Sequence, residues 1–133
     1  YFSLCLLSGF KYVEGVDIDM SKYYAFLQPL AEKYAKENRI ILKIKEMDST
    51  SLDSLGPPLD MLLIDSLHRL SHMEKELSMH AKRVNKYIIA HDTKLPNRRL
   101  DECLTVFTYT NPDWKILERN EKNVGYMVLK KDG

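Results

Sequence analysis

The sequence has no apolar run near the ~18 residues that a membrane-spanning helix requires, so no membrane partner is expected from it. It also lacks an excess of either charge. Twenty Lys and Arg face nineteen Asp and Glu, for a net charge of +1. The basic residues are scattered, so the electrostatic footprint of a nucleic-acid partner is missing. Lys130 and Lys131 read as a solvated end. Cysteine is scarce: Cys5 and Cys103 are too few and too isolated for a disulfide framework, and both read as reduced, buried side chains. The opening YFSLCLLSGF is apolar but has neither a basic leader nor a small-residue cleavage site, so it does not read as a signal peptide. Repeats, low-complexity tracts and linker-like stretches are absent. The expectation is a soluble cytoplasmic protein, with homo-oligomers left open. Because the chain begins on Tyr1 rather than Met, it reads as a piece of something longer.

What remains is 133 residues with 44% apolar content, which suits one domain with a real core. Residues 2 to 8 read as the end of a helix stopped by Gly9. KYVEGVDID is a short strand ending in Asp17 and Asp19. Ser21 is placed to cap a helix whose apolar positions are Tyr24, Leu27, Ala31 and Tyr34, with Pro29 kinking or restarting it and Asn38 as its stop. The Tyr23–Tyr24 pair reads as core.

IILKIKEMD is a strand ending on Asp48. The turn-forming stretch to Pro58 leaves room only for a short helical turn around Leu52 to Leu55. LDMLLID has the near-continuous apolarity of a central strand covered on both faces. Ser71 to Glu74 forms a capping box before a stripe of Met73, Leu77, Ala81 and Val84. KYIIAHD is another buried strand, and Pro96 opens a helix carrying Leu100, Leu104 and Phe107. WKILERN and VGYMVLKK read as an antiparallel hairpin. This alternation predicts an α/β fold, a doubly wound, mainly parallel sheet flanked by helices.

Ligands of open parallel sheets bind outside the carboxyl ends of the strands. Asp17, Asp48, Asp65 and Asp92 all fall at such ends. Adjacent strands lie ~4.8 Å apart, so Asp65 and Asp92 can converge on one point if their strands are neighbours. Two carboxylates suit a hard cation such as Mg²⁺. His68, a turn beyond Asp65, could then accept a proton from a polarised hydroxyl. His91 reads either as a further metal ligand or as structural, whereas His72 and His80 read as structural.

With these motifs in hand, the chain resembles the class I S-adenosylmethionine-dependent methyltransferases, in their metal-dependent O-methyltransferase and cephalosporin-hydroxylase-like branch. EGVDID resembles the family's second motif, which implies that Asp17, with Asp19 beside it, binds the cofactor ribose. EMDS resembles the next motif, implying that Asp48 and Ser49 approach the adenine. LLIDSLH resembles the motif in which Asp65 would ligate the metal and His68 serve as catalytic base. IIAHDT resembles the motif that makes Asp92, and His91 with it, metal ligands. The resemblance implies a Rossmann-like fold, S-adenosylmethionine and Mg²⁺ or another divalent cation as cofactors, and a small hydroxylated molecule as methyl acceptor.

One part of the family pattern is absent. No glycine-rich first motif precedes residue 2, and its strand would lie between those ending at Asp17 and Asp65. The expectation is therefore one methyltransferase-like domain over 1–133, truncated at its N-terminus, with the first strand and glycine loop missing. Two other readings fit parts of the sequence. One is a non-catalytic interaction domain that keeps the fold. The other is a haloacid-dehalogenase-like phosphatase using VDIDM, with Asp17 as nucleophile and Asp19 as general acid, for which Asp92-Thr93-Lys94 is a poor second half.

Overall fold

The computed structural model describes residues 2–52 and 55–133. The chain is mixed α/β and divides into two compact units, Tyr1–Ser54 and Leu55–Gly133. No helix among the described residues is long and apolar enough to cross a membrane.

In the first unit, α1 (Phe2–Leu7) is followed by Gly9 at φ +79°, a left-handed stop that glycine adopts without steric cost. Strand β1 (Tyr12–Asp17) leads into a π-helical stretch, Tyr23–Leu27, which gives way to α2 (Gln28–Glu37). Pro29 stands in the first turn of α2, where its missing amide costs nothing, so proline restarts the helix rather than breaking it. Asn38 ends α2, its side-chain amide donating to Tyr34 O at 2.9 Å. Strand β2 (Ile41–Glu46) pairs with β1 in parallel, from Tyr12 opposite Ile41 to Asp17 opposite Glu46. Leu6, Val13, Met20, Tyr23 and Ala31 form the core of this unit.

The second unit runs β3 (Leu59–Ile64), α3 (Leu70–His80), a 3-10 turn at Ala81–Arg83, β4 (Val84–His91), α4 (Leu100–Thr110), β5 (Trp114–Asn120) and β6 (Tyr126–Lys131). The sheet order is β3-β4-β6-β5. β3 and β4 are parallel, while β6 is antiparallel to both β4 and β5. The terminal hairpin is thus present. Val84, Ile88, Leu100, Leu104, Met127 and Leu129 are fully buried where α3 and α4 pack on the sheet. Phe107 and Trp114 extend that core, their ring centroids 6.2 Å apart.

Several expectations need correction. Among the described residues the pairing gives two sheets, β1-β2 and β3-β4-β6-β5, and the break falls where the sequence left a strand missing, between the strands leading to Asp17 and to Asp65. LDMLLID is therefore the edge strand of its sheet, not a central one, and most of its residues are only partly buried. Apolarity alone cannot tell an edge strand from a central one.

The expected capping box fails because α3 starts two residues earlier than a Ser71 cap requires, at Leu70, with extended Arg69 at its N-cap and Ser71 inside the helix. Ser21 is likewise helical rather than a cap, and it is the Asp19 carboxylate that accepts its amide, at 2.9 Å. Pro96 opens no helix. Asn97 and Arg99 have φ of +61° and +54°, which interrupts any helix before Leu100. Val84 begins β4 instead of closing a helical stripe. The short helical turn expected around Leu52 to Leu55 falls on residues 53 and 54, which lie outside those described.

Candidate functional site

The parallel register of β3 and β4 positions the site. Ile64 stands opposite Ala90, so the next residues of the two strands, Asp65 and His91, emerge side by side. Asp92 follows at φ +56°, a left-handed conformation that aspartate tolerates better than most residues. His68 reaches back from the loop between β3 and α3.

Its Nε2 lies 2.8 Å from Asp92 Oδ2 and 3.5 Å from Asp65 Oδ1. His91 Nδ1 lies 2.9 Å from Asp92 Oδ1 and 3.7 Å from Asp65 Oδ1. Among the described residues His68 Nε2 is buried yet makes no aligned hydrogen bond, despite that short contact with Asp92. Donor atoms that face one point without bonding to each other are suited to share a cation.

The spacing agrees with that use. One donor atom each from Asp65, His68 and Asp92 lies within 4.8 Å of the others. Neighbouring ligands around an octahedral ion at ~2.1 Å are about 3.0 Å apart and opposite ones about 4.2 Å. Two carboxylates and an imidazole are a donor set that divalent cations accept. Of the three metal ligands expected from sequence, Asp65 and Asp92 are brought together with His68, and His91 Nδ1 also lies within 3.7 Å of both carboxylates.

The acids expected to bind cofactor sit in the first unit, at the ends of its own parallel pair. Asp17 ends β1, exposed, with its Oδ1 accepting the Asp19 amide at 3.1 Å. An exposed acid at a strand end fits hydrogen bonding to ribose hydroxyls. The Asp19 carboxyl is held below its usual value by its hydrogen bonds with Ser21. Asp48 lies two residues beyond β2, and its Oδ1 accepts both the amide and the hydroxyl of Thr50, at 2.7 and 2.8 Å. That oxygen is committed to a local Asx-type turn. Ser49 sits inside this turn.

Two supports of the site were not read from sequence. Ser66 donates to Glu76, a buried acid of α3, at 2.7 Å, which fastens the loop that carries His68. An acid three residues from Met73 and next to Leu77, on the inner face of a helix, was the available signal. The second support is Lys94, whose Nζ lies 2.8 Å from Asp101 and 3.0 Å from Glu121. Those two hydrogen bonds raise its pKa above the usual lysine value. No spacing pattern joins these three residues, because the contacts are tertiary. A cavity of about 580 Å³ between α3 and α4, floored by Leu77, Cys103, Phe107 and Trp114, contains none of the converging residues.

No protein-family model matches the sequence, and no curated protein matches it. Among solved structures it is similar to a Corynebacterium glutamicum protein determined by structural genomics, with a TM-score of 0.55 and 10% identity. The similarity covers 89% of this chain and only 59% of that one. At this identity the likeness speaks for an α/β fold alone.

Proposed function

We propose that the protein is a metal-assisted, S-adenosylmethionine-dependent O-methyltransferase with a Rossmann-like fold, acting on a small hydroxylated molecule. The observation that carries this reading is the convergence of Asp65, His68 and Asp92 at the carboxyl ends of two neighbouring parallel strands. Exposed Asp17 at the end of β1 supports it as the candidate partner of a cofactor ribose.

Asp65 and Asp92 would hold a divalent cation, with His91 within ion-pair distance of both carboxylates. A bound cation would supply polarisation of the acceptor hydroxyl. The lone pair of His68 Nε2 can serve only one task, closing the donor set or taking a proton. We assign it the first, because that nitrogen lies within 3.5 Å of both carboxylates. This differs from the base role expected from sequence. The remaining work for the residues is positioning, holding the acceptor oxygen in line with the methyl group.

The test is a calorimetric titration of S-adenosylhomocysteine into the protein in Mg²⁺ buffer, alongside a titration of Mn²⁺ alone. Micromolar cofactor binding, with Mn²⁺ binding lost in Asp65→Asn and His68→Ala, is the expected result. Failure of a folded sample to bind either would defeat the reading. Retained Mn²⁺ affinity in His68→Ala would return that histidine to the base role.

A further inference from the structure

Asp92 is held at φ +56°, and such a conformation persists only where its surroundings over-determine it. Those surroundings lie in the turn of the β5–β6 hairpin. The amide of Lys94 donates to Val124 O at 2.8 Å, and that of Thr93 to Gly125 O at 3.4 Å. The same short segment closes on itself, Leu95 donating its amide to Asp92 O at 3.3 Å. The Lys94 ammonium then ties it to two further elements, Asp101 in the first turn of α4 and Glu121 in the hairpin turn.

Gly125 is what lets the two backbones approach. It has φ +72°, and a Cβ there would lie 2.6 Å from Lys94 Cγ and 2.9 Å from Thr93 Oγ1. The lysine stem could bend away, but Thr93 is 2% exposed and has nowhere to go. A Cβ would therefore press on the residue next to Asp92.

We propose that Gly125 and Lys94 are positioning residues, through which the hairpin turn sets the direction of the Asp92 carboxylate toward Asp65 and His68. Neither touches the converging donor atoms. The inference rests on the metal-site reading for its consequence, though not for its geometry.

The experiment compares Gly125→Ala, Lys94→Met and Lys94→Arg with the wild-type chain in two readouts. One is Mn²⁺ affinity by calorimetry; the other is amide hydrogen exchange at Thr93 and Lys94. Gly125→Ala and Lys94→Met should each weaken Mn²⁺ binding about tenfold, as outer-shell changes do at metal sites. Both should exchange these amides faster, and Lys94→Arg should restore both readouts. Unchanged Mn²⁺ affinity in variants whose Thr93 and Lys94 amides have lost protection would overturn the inference.

If Gly125→Ala fails to fold, Lys94→Met and Lys94→Arg decide by the same criteria. If the wild-type chain binds no Mn²⁺, the proposed function fails on its own. The inference is then decided by crystal structures of the variants. Displacement of the Asp92 carboxylate from His68 supports it, and an unmoved carboxylate sinks it.

Discussion

Asp92 meets two demands at once, a left-handed backbone and a carboxylate facing His68. The two separate in variants. Asp92→Asn keeps the short side chain that tolerates this φ, so its melting temperature should stay within a few degrees of wild type while Mn²⁺ binding disappears. Asp92→Glu keeps the charge on a side chain less suited to positive φ, and should lower the melting temperature as well. A thermal melt and a calorimetric titration of both variants check this.

Asp101 gives a pH-dependent counterpart. Burial pushes its carboxyl up, but the hydrogen bond and charge of Lys94 outweigh burial and hold it below the usual carboxylate value. A carboxyl depressed in the folded state contributes stability that is complete above its unfolded pKa of about 3.9 and fades as the pH falls through its lower folded value. Lys94→Met removes that contribution. The urea midpoints of variant and wild type should therefore differ at pH 6 and draw together toward pH 3. A constant difference across that range would show that Lys94 acts by packing alone. Cys103 provides a contrast, its thiol pushed up to about 11 chiefly by burial. It should resist alkylation at pH 8 in the folded protein and react once urea is added.

At the scale of elements, α4 joins the core of the second unit through Leu100, Cys103 and Leu104. Leu100 and Leu104 are fully buried, each at 0% exposure, and Cys103 lies between them in the chain. Leu104→Ala should cost about 2–5 kcal/mol, the range for truncating a buried leucine, as read by urea denaturation. A loss under about 1 kcal/mol would mean that the core collapses readily around the gap.

Local patterns gave away most elements here, through helical stripes at Ala31 and at Met73 and Leu77, and through the acid-ended runs of β3 and β4. Boundaries were read less well where a residue type had two uses. Pro96 can open a helix or sit in a turn, and positive φ at Asn97 and Arg99, invisible in the sequence, decided the matter. The convergence of Asp65 and Asp92 was legible because adjacent parallel strands bring their ends together. The clamp of Lys94 on Asp101 and Glu121 was not, since nothing local couples residues so far apart.

For the molecule as a whole, the strands sort into two sheets, each within its own compact unit, and the break falls where the sequence lacked a first strand. Patterning fixed which segments are strands, but pairing is a long-range choice that a single sequence does not display. The core of the second unit closes on its own residues, from Ile64 to Leu129. A chain of residues 55–133 should therefore fold alone, giving a cooperative melt, and should retain Mn²⁺ binding because Asp65, His68 and Asp92 all lie within it. A non-cooperative melt of that piece would show that its stability depends on the rest of the chain.

Gly125 has a consequence for how this protein could be found in other genomes. A glycine some thirty residues downstream of the acidic strand end is fixed by contact with the neighbours of Asp92, not by chemistry at the cation. A search keyed only to the reacting side chains would accept any chain with two acids and a histidine. Adding this silent glycine, at its distance along the chain, turns a common triplet into a far rarer signature.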